Sequence, residues 1–248
     1  MTPEQVVAAL RAAGCVFAED EAELLLETGA DGLAERVRRR AAGEPLEHLL
    51  GWAEFDGLRV PVDPGVFVPR RRTEHLAVLA AGLLPARGTA LDLCCGCGAV
   101  AIALTHRVPG AVVHAADLDP TATACAARTL PHVHTGDMFA PLPPDLRGRL
   151  DVIAVNAPYV PTAKIATMPP EARDHEPHTA LDGGLDGVTH HRRIAAQARD
   201  WLAPGGHLLI ETSHPQAAAT AAAMTAAGLT TTISYDDDRD ATVALARS

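Results

Sequence analysis

The sequence predicts an α/β fold in which a seven-stranded, mostly parallel, doubly wound sheet follows a small helical module and a β-hairpin. From residue 90 onward, short apolar runs suited to strands alternate with helical stretches. Strands separated by helices need crossover connections, hence a parallel sheet covered on both faces. The last two strand-like runs have no helix between them, which predicts an antiparallel edge. Before residue 69 the apolar period is first helical and then two-residue.

Residues 1–50 read as short helices: Leu24, Leu25, Leu33, Val37 and Leu49 stand among charged positions, punctuated by Gly14, Gly29, Gly32 and Gly43. The module is too small to promise a core of its own. In residues 51–68, Trp52, Phe55, Leu58, Val60, Val62, Val66 and Val68 alternate with polar residues around Asp56-Gly57 and Asp63-Pro64-Gly65, which predicts a β-hairpin connector. Residues 69–248 then form the α/β domain. Strands are expected over 90–94, 112–116, 132–135, 151–155, 207–212, 230–234 and 242–246, and helices over 73–84, 99–106, 120–130, 188–202 and 215–227.

Composition narrows the function. A chain of 248 residues buries roughly 70% of its unfolded surface, enough to fold without staples. A net charge of -10 repels polyanions, whose binding needs Lys and Arg against phosphates. Two basic runs stand out, Arg70-Arg71-Arg72 and Arg36 with Arg38-Arg39-Arg40, the second reading as a solvated helix face. The five cysteines, Cys15, Cys94, Cys95, Cys97 and Cys125, are odd in number and crowded, which predicts no disulfide framework and a reducing, cytoplasmic setting. The Cys-Cys-x-Cys run lacks the second spaced pair that structural zinc needs, so no metal is expected. The twelve histidines, His175, His190 and His191 among them, form no spaced cluster and read as surface or loop residues. No basic segment followed by an apolar stretch opens the chain, and no apolar run reaches the roughly 20 residues that cross a bilayer, so neither secretion nor membrane insertion is expected.

In a doubly wound sheet, ligands sit beyond the carboxyl ends of the strands. Four candidates fall there. Leu91-Asp92-Leu93-Cys94-Cys95-Gly96-Cys97-Gly98 runs from a strand into a turn that opens a helix, and Gly96 and Gly98 let the backbone pass close to a ligand. With Ala101 the same glycines satisfy a dinucleotide fingerprint, so a nicotinamide-dependent oxidoreductase is open at this point. Asp117, after the next strand, can accept from ribose hydroxyls in either cofactor class, whereas Asp119 before Pro120 reads as a helix cap. In Gly136-Asp137-Met138-Phe139, Asp137 can accept from the amine of an adenine and Met138 can pack on its ring.

The fourth candidate, Val155-Asn156-Ala157-Pro158-Tyr159, resembles the Asn-Pro-Pro-Tyr signature of nitrogen-directed methyltransferases. An amide or aromatic amine has its lone pair delocalised and attacks poorly unless held and polarised. Asn156 can accept one N–H and the carbonyl of Ala157 the other, aiming the lone pair, while Tyr159 covers the flat face of the acceptor beside Pro158. No oxidoreductase needs these four residues.

The resemblance widens to the HemK/PrmC-type protein N(5)-glutamine methyltransferases. It covers Arg39-Arg40-Ala41-Ala42-Gly43-Glu44-Pro45-Leu46 with Leu50-Gly51, then Val62-Asp63-Pro64-Gly65-Val66-Phe67-Val68-Pro69-Arg70 with Thr73-Glu74, the cofactor motifs, and after Tyr159 Glu171, Glu176-Pro177 and Ala180-Leu181-Asp182-Gly183-Gly184-Leu185-Asp186-Gly187. It implies a Rossmann-like class I fold, S-adenosylmethionine as cofactor, bound by Asp92, Cys94, Cys95, Gly96, Cys97, Gly98, Asp117, Asp137, Met138 and Asn156, and catalysis by Asn156, Ala157, Pro158 and Tyr159. It also implies a monomeric enzyme whose partner is a protein bearing a glutamine, such as a peptide-chain release factor. Ala157 stands where the signature has its first proline, which keeps the carbonyl but loses the fixed φ. Arg71 and Arg72 replace a less basic segment, and the helical region before the hairpin is short for the family. Two other readings share parts of the pattern. A nucleic-acid adenine N6-methyltransferase has the same signature, against which stand the net charge and the lack of an added basic or aromatic domain. An inactive cofactor-binding regulator would tolerate Ala157. Glu211, at a strand end, either lines the pocket or terminates the strand.

Overall fold

The computed structural model describes the backbone of residues 1–248 and all side chains except those of residues 170–172. Helices α1 (Pro3–Ala12), α2 (Ala18–Glu27), α3 (Leu33–Ala41) and α4 (Leu46–Leu50) form the first module. Helix α1 starts on a capping box between Thr2 and Gln5 with Pro3 in its first turn, a local signal that satisfies two otherwise orphaned N–H groups. Val6, Leu10, Leu25, Leu33 and Val37 bury one another in a cluster separate from those of the sheet, so the module has a core that its length did not promise. The expected solvated arginine face is corrected. Arg38 pairs with Glu35, Arg39 with Glu44, and Arg40, 12% exposed, bonds Glu21 of α2. Of these pairs only that of Arg40 joins two helices, α3 and α2, while the Arg38 pair stays exposed on α3.

Strands β1 (Trp52–Phe55) and β2 (Leu58–Pro61) pair in an antiparallel hairpin across Asp56 and Gly57. Both turn residues have left-handed φ, 55° and 73°, as a two-residue hairpin with the native strand twist requires. The ladder stops at Pro61, short of the expected residue 68, because Pro61 and Pro64 offer no N–H. Val62, Val66 and Val68 are nevertheless buried.

The main sheet contains β3 (Thr89–Leu93), β4 (Val112–Asp117), β5 (Val133–Thr135), β6 (Leu150–Val155), β7 (Leu202–Thr212), β8 (Thr230–Asp236) and β9 (Ala241–Arg247) in the order β5-β4-β3-β6-β7-β9-β8. Strands β3 to β7 are parallel, and β9 is antiparallel to both its neighbours. The expected antiparallel pair at the edge is present, with β9 the strand that runs against the rest and β8 outside it. Burial decides this: Val243 and Ala244 of β9 are fully buried, whereas β8, Thr230-Thr231-Thr232-Ile233-Ser234-Tyr235-Asp236, is polar. A polar strand suits an edge whose N–H and C=O groups meet water.

Alternate residues of each central strand enter two cores. Ala90, Val152, Ala154 and Leu209 face one layer, while Leu91, Leu93, Ile153, Val155 and Ile210 face the other. The layers comprise α5 (Thr73–Leu83), α6 (Ala99–Arg107), α7 (Pro120–Ala126), α9 (Thr189–Ala198) and α10 (Ala217–Ala226), with α8 (Pro170–His175) in the connection between β6 and α9. The chain runs outward from β3 through β4 to β5, then returns to lay β6 on the other side of β3. That reversal opens a crevice at the carboxyl ends of these strands.

Candidate active site

The crevice holds a cavity of about 530 Å³, within the usual range for small-molecule sites. The turn after β3 enters it with Cys94, Gly96 and Gly98 at φ of 61°, 55° and 82°. A Cβ on Gly96 would meet nothing closer than 4.0 Å, so the backbone borders open space. Gly98 does something else. Its Cβ would lie 2.7 Å from Leu130 and 3.2 Å from Ala126, and Gly98 is absent from the cavity wall. The small residue lets the start of α6 pack on α7. Asp92, also on the wall, is 1% exposed and accepts from the backbone N–H of Ala101 at 2.9 Å. Desolvation pushes its carboxyl up to about 8 against the pull of that bond. It anchors the first turn of α6 from inside.

Asp117 ties β4 to the glycine turn. One oxygen accepts from Gly96 N at 2.8 Å and the other from Asp119 N at 2.9 Å. Burial raises its carboxyl and these backbone bonds oppose the rise. Each oxygen keeps a lone pair for a further donor. Asp119 caps α7 by accepting from Thr121 N at 2.8 Å. Asp137 pairs with Arg193 at 2.7 Å, and Met138, in a left-handed conformation at φ 49°, is buried beside it. The Cys94, Cys95 and Cys97 thiols also line the cavity, and burial holds all three well above the usual thiol range. They present neutral, weakly polar walls.

Asn156, Ala157, Pro158 and Tyr159 leave β6 directly onto the same cavity. Asn156 Nδ2 donates to Thr73 Oγ1 at 3.2 Å. The Tyr159 hydroxyl donates to Glu211 Oε1 at 3.3 Å, and Arg72 Nε donates to the same oxygen at 3.4 Å. The side chain of Glu211 is 1% exposed. Burial raises its carboxyl, while Thr73, Arg72 and Tyr159 pull it down. Glu211 therefore neither lines the pocket nor merely ends a strand. It stands behind the wall and holds the wall's side chains.

Behind Tyr159 the glycine-rich loop closes on the backbone. Gly183 N donates to Val160 O at 2.8 Å, and a Cβ on Gly183 would lie 2.6 Å from Tyr159 Cα. Gln216 Nε2 donates to Tyr159 O at 2.8 Å and to Asp186 O at 3.0 Å. A Cβ on Gly187 would fall 2.0 Å from that nitrogen. Glu176, buried, pairs with Arg70 and accepts from Val68 N at 3.4 Å, joining the loop to the connector. The Glu171 side chain lies outside the described residues.

Sequence reasoning left Thr73 and Gln216 without a role and read His191 as a surface residue. His191 is fully buried, its Nδ1 2.9 Å from Thr220 Oγ1, and burial lowers its pKa to about 4. One signal was available: two-residue alternation puts position 211 on the sheet face of the apolar Leu209, which points the carboxylate inward.

A family model for the methyltransferase small domain matches residues 57–168. The release factor glutamine methyltransferase of Geobacter sulfurreducens is 39% identical over 187 residues, covering 73% of this chain and 65% of that protein. The enzyme of the same name from Mycolicibacterium smegmatis is 41% identical over 208 residues, 82% of this chain and 73% of its own. Among solved structures, a methyltransferase from Pyrococcus furiosus shares the fold with a TM-score of 0.58, at 15% identity, over 86% of this chain and 98% of that one.

Proposed function

The chain belongs to the family of release factor glutamine methyltransferases, S-adenosylmethionine-dependent enzymes of Rossmann-like fold, and from that premise we propose that it methylates the side-chain amide nitrogen (N5) of a glutamine in a peptide-chain release factor. The observation that carries the reading is a meeting of distant residues: the acceptor tetrad 156–159 and the turn at Gly96 border one cavity. The residues present fit the cofactor. Open space faces Gly96, Asp117 has lone pairs for ribose hydroxyls, and Asp137 with Met138 offers an acceptor and an apolar surface to adenine.

S-adenosylmethionine supplies a sulfonium methyl group, whose bond to sulfur breaks as a bond to nitrogen forms. The chain's own contribution is positioning. With Nδ2 committed to Thr73, Asn156 turns Oδ1 toward one amide N–H of the glutamine, and the Ala157 carbonyl takes the other. Fixed acceptors of this kind polarise the nitrogen and aim its lone pair without reorganisation during the reaction. Tyr159 covers the flat amide, its hydroxyl held by Glu211. Any released proton leaves from a nitrogen already bonded to oxygen acceptors.

A nucleic-acid amine is the second reading, and the net charge of -10 opposes it. We place the protein in the cytoplasm as a monomer. Cys94, Cys95, Cys97 and Cys125 form no disulfide, and among the described residues no helix is long and apolar enough to cross a membrane. The test is incubation of recombinant release factors with the protein and S-adenosylmethionine, followed by peptide mass spectrometry. One added methyl on a glutamine side chain is expected. Label that enters nucleic acid, with none in the release factors, would overturn the reading.

A further inference from the structure

The Asn156 amide has two nearly isosteric ends, and only one orientation serves an acceptor N–H. Helix α5 settles which. Thr73 is its first residue and is 3% exposed, and its hydroxyl accepts from Asn156 Nδ2. An accepting hydroxyl still has its own proton to place. Glu211 Oε2 is buried with no hydrogen-bond partner, and while burial raises the Glu211 carboxyl, Thr73 is first among the groups that oppose the rise. Glu211 Oε1 meanwhile holds the Tyr159 hydroxyl and Arg72. Of the two side chains that would touch the acceptor, Tyr159 rests on this carboxyl group outside the cavity and Asn156 rests on Thr73.

We propose that Thr73 and Glu211 are positioning residues for methyl transfer: the Glu211 carboxyl takes the Thr73 proton, which fixes Thr73 as acceptor toward Asn156 and leaves Asn156 Oδ1 as the only end of the amide facing the substrate. A carboxyl in its ionised form suits this task because it accepts from Thr73, Tyr159 and Arg72 together. Burial acts against ionisation and raises the carboxyl, while Thr73, Arg72 and Tyr159 oppose that rise. A valine at position 73 keeps the shape and removes the hydroxyl, so nothing then selects the amide orientation.

This inference rests on the glutamine methyltransferase reading, and the experiment separates the two. Initial rates of labelled methyl transfer to a recombinant release factor are measured for the wild type, Thr73→Val, Thr73→Ser and Glu211→Gln, with S-adenosylmethionine affinity measured by calorimetry. A wild type with no transfer sinks the functional reading itself. Given wild-type turnover, Thr73→Val is expected to lower kcat by about tenfold or more, since small misplacements in positioned reactions cost that much. Cofactor affinity should stay within about twofold, and Thr73→Ser, which restores the hydroxyl, should recover most of kcat. Wild-type kcat in Thr73→Val, or a loss that serine does not recover, overturns the proposal. If Thr73→Val does not fold, Glu211→Gln decides: reduced kcat at retained cofactor affinity supports the relay, and unchanged kcat removes it.

Discussion

The two halves of the cavity are built by different rules. The cofactor half is assembled from groups that each follow their own strand, and its defining bond, Gly96 N to Asp117, spans 21 residues of chain. The acceptor half is gathered from afar. Asn156 reaches Thr73 across 83 residues, Tyr159 reaches Glu211 across 52, and Gln216 reaches Tyr159 across 57. The first half is a local consequence of βα turns at a switch point in the sheet. The second exists only once β6, β7, α5 and the glycine-rich loop have all packed. Substitutions in the cofactor half should therefore appear mainly in donor affinity, and those in the acceptor half mainly in turnover.

The largest effect expected is that of Asn156→Ala. It removes one of two fixed acceptors on the reacting amide, and losses at comparable electrostatic sites run to about 10²–10³ in kcat. Calorimetry should find S-adenosylmethionine binding nearly unchanged, and a variant that turns over like the wild type would break the division between the halves. The mirror experiment is Asp117→Ala. It deletes a carboxylate that organises the glycine turn and has acceptors to spare. Hydrogen bonds to charged groups contribute about 1.5–3 kcal/mol, so donor affinity should fall about ten- to a hundredfold while kcat at saturating donor changes little. A loss confined to kcat would show the halves to be mixed.

This division also explains what the sequence made legible. Asp117, Asp137 and Gly96 could be placed because each stands immediately beyond a strand, where a parallel sheet puts its ligands. The Asn156 tetrad could be placed for the same reason, since it ends β6. Thr73 and Gln216 carried no such marker, and Glu211, though at a strand end, stands behind the cavity wall. Thr73 begins a helix and Gln216 lies just before one, and their partners are fixed only by tertiary packing. The strand order hid likewise: a helix-free connection between the last two strands revealed antiparallel pairing, but only the contrast between polar β8 and apolar β9 shows which of them takes the edge.

Gln216→Glu sharpens the comparison on a smaller scale. The substitution is nearly isosteric but replaces a donor that serves the Tyr159 and Asp186 carbonyls with an acceptor that repels both. Loosening of the loop behind Tyr159 should lower kcat by about tenfold, the worth of one to two hydrogen bonds. Equal losses in kcat and donor affinity would show that the loop serves both halves.

The smallest effect separates structure from ligand binding within the cofactor half itself. Asp92 and Asp117 are both carboxylates on the cavity wall, yet Asp92 is the more deeply buried and is raised to about 8 by desolvation. The folded state thus keeps a proton that the unfolded chain releases near an ordinary aspartate pKa of about 3.9. The stability associated with that proton is fully present below the unfolded value and is lost as pH rises toward 8. Asp92→Asn keeps an oxygen for Ala101 N and has no proton to lose. Urea unfolding at pH 5 and at pH 8 should therefore show the variant gaining stability relative to wild type at the higher pH, by an amount that grows across that window. A constant difference at the two pH values would mean that Asp92 is already ionised in the fold and that it anchors α6 as a carboxylate accepting from Ala101 N.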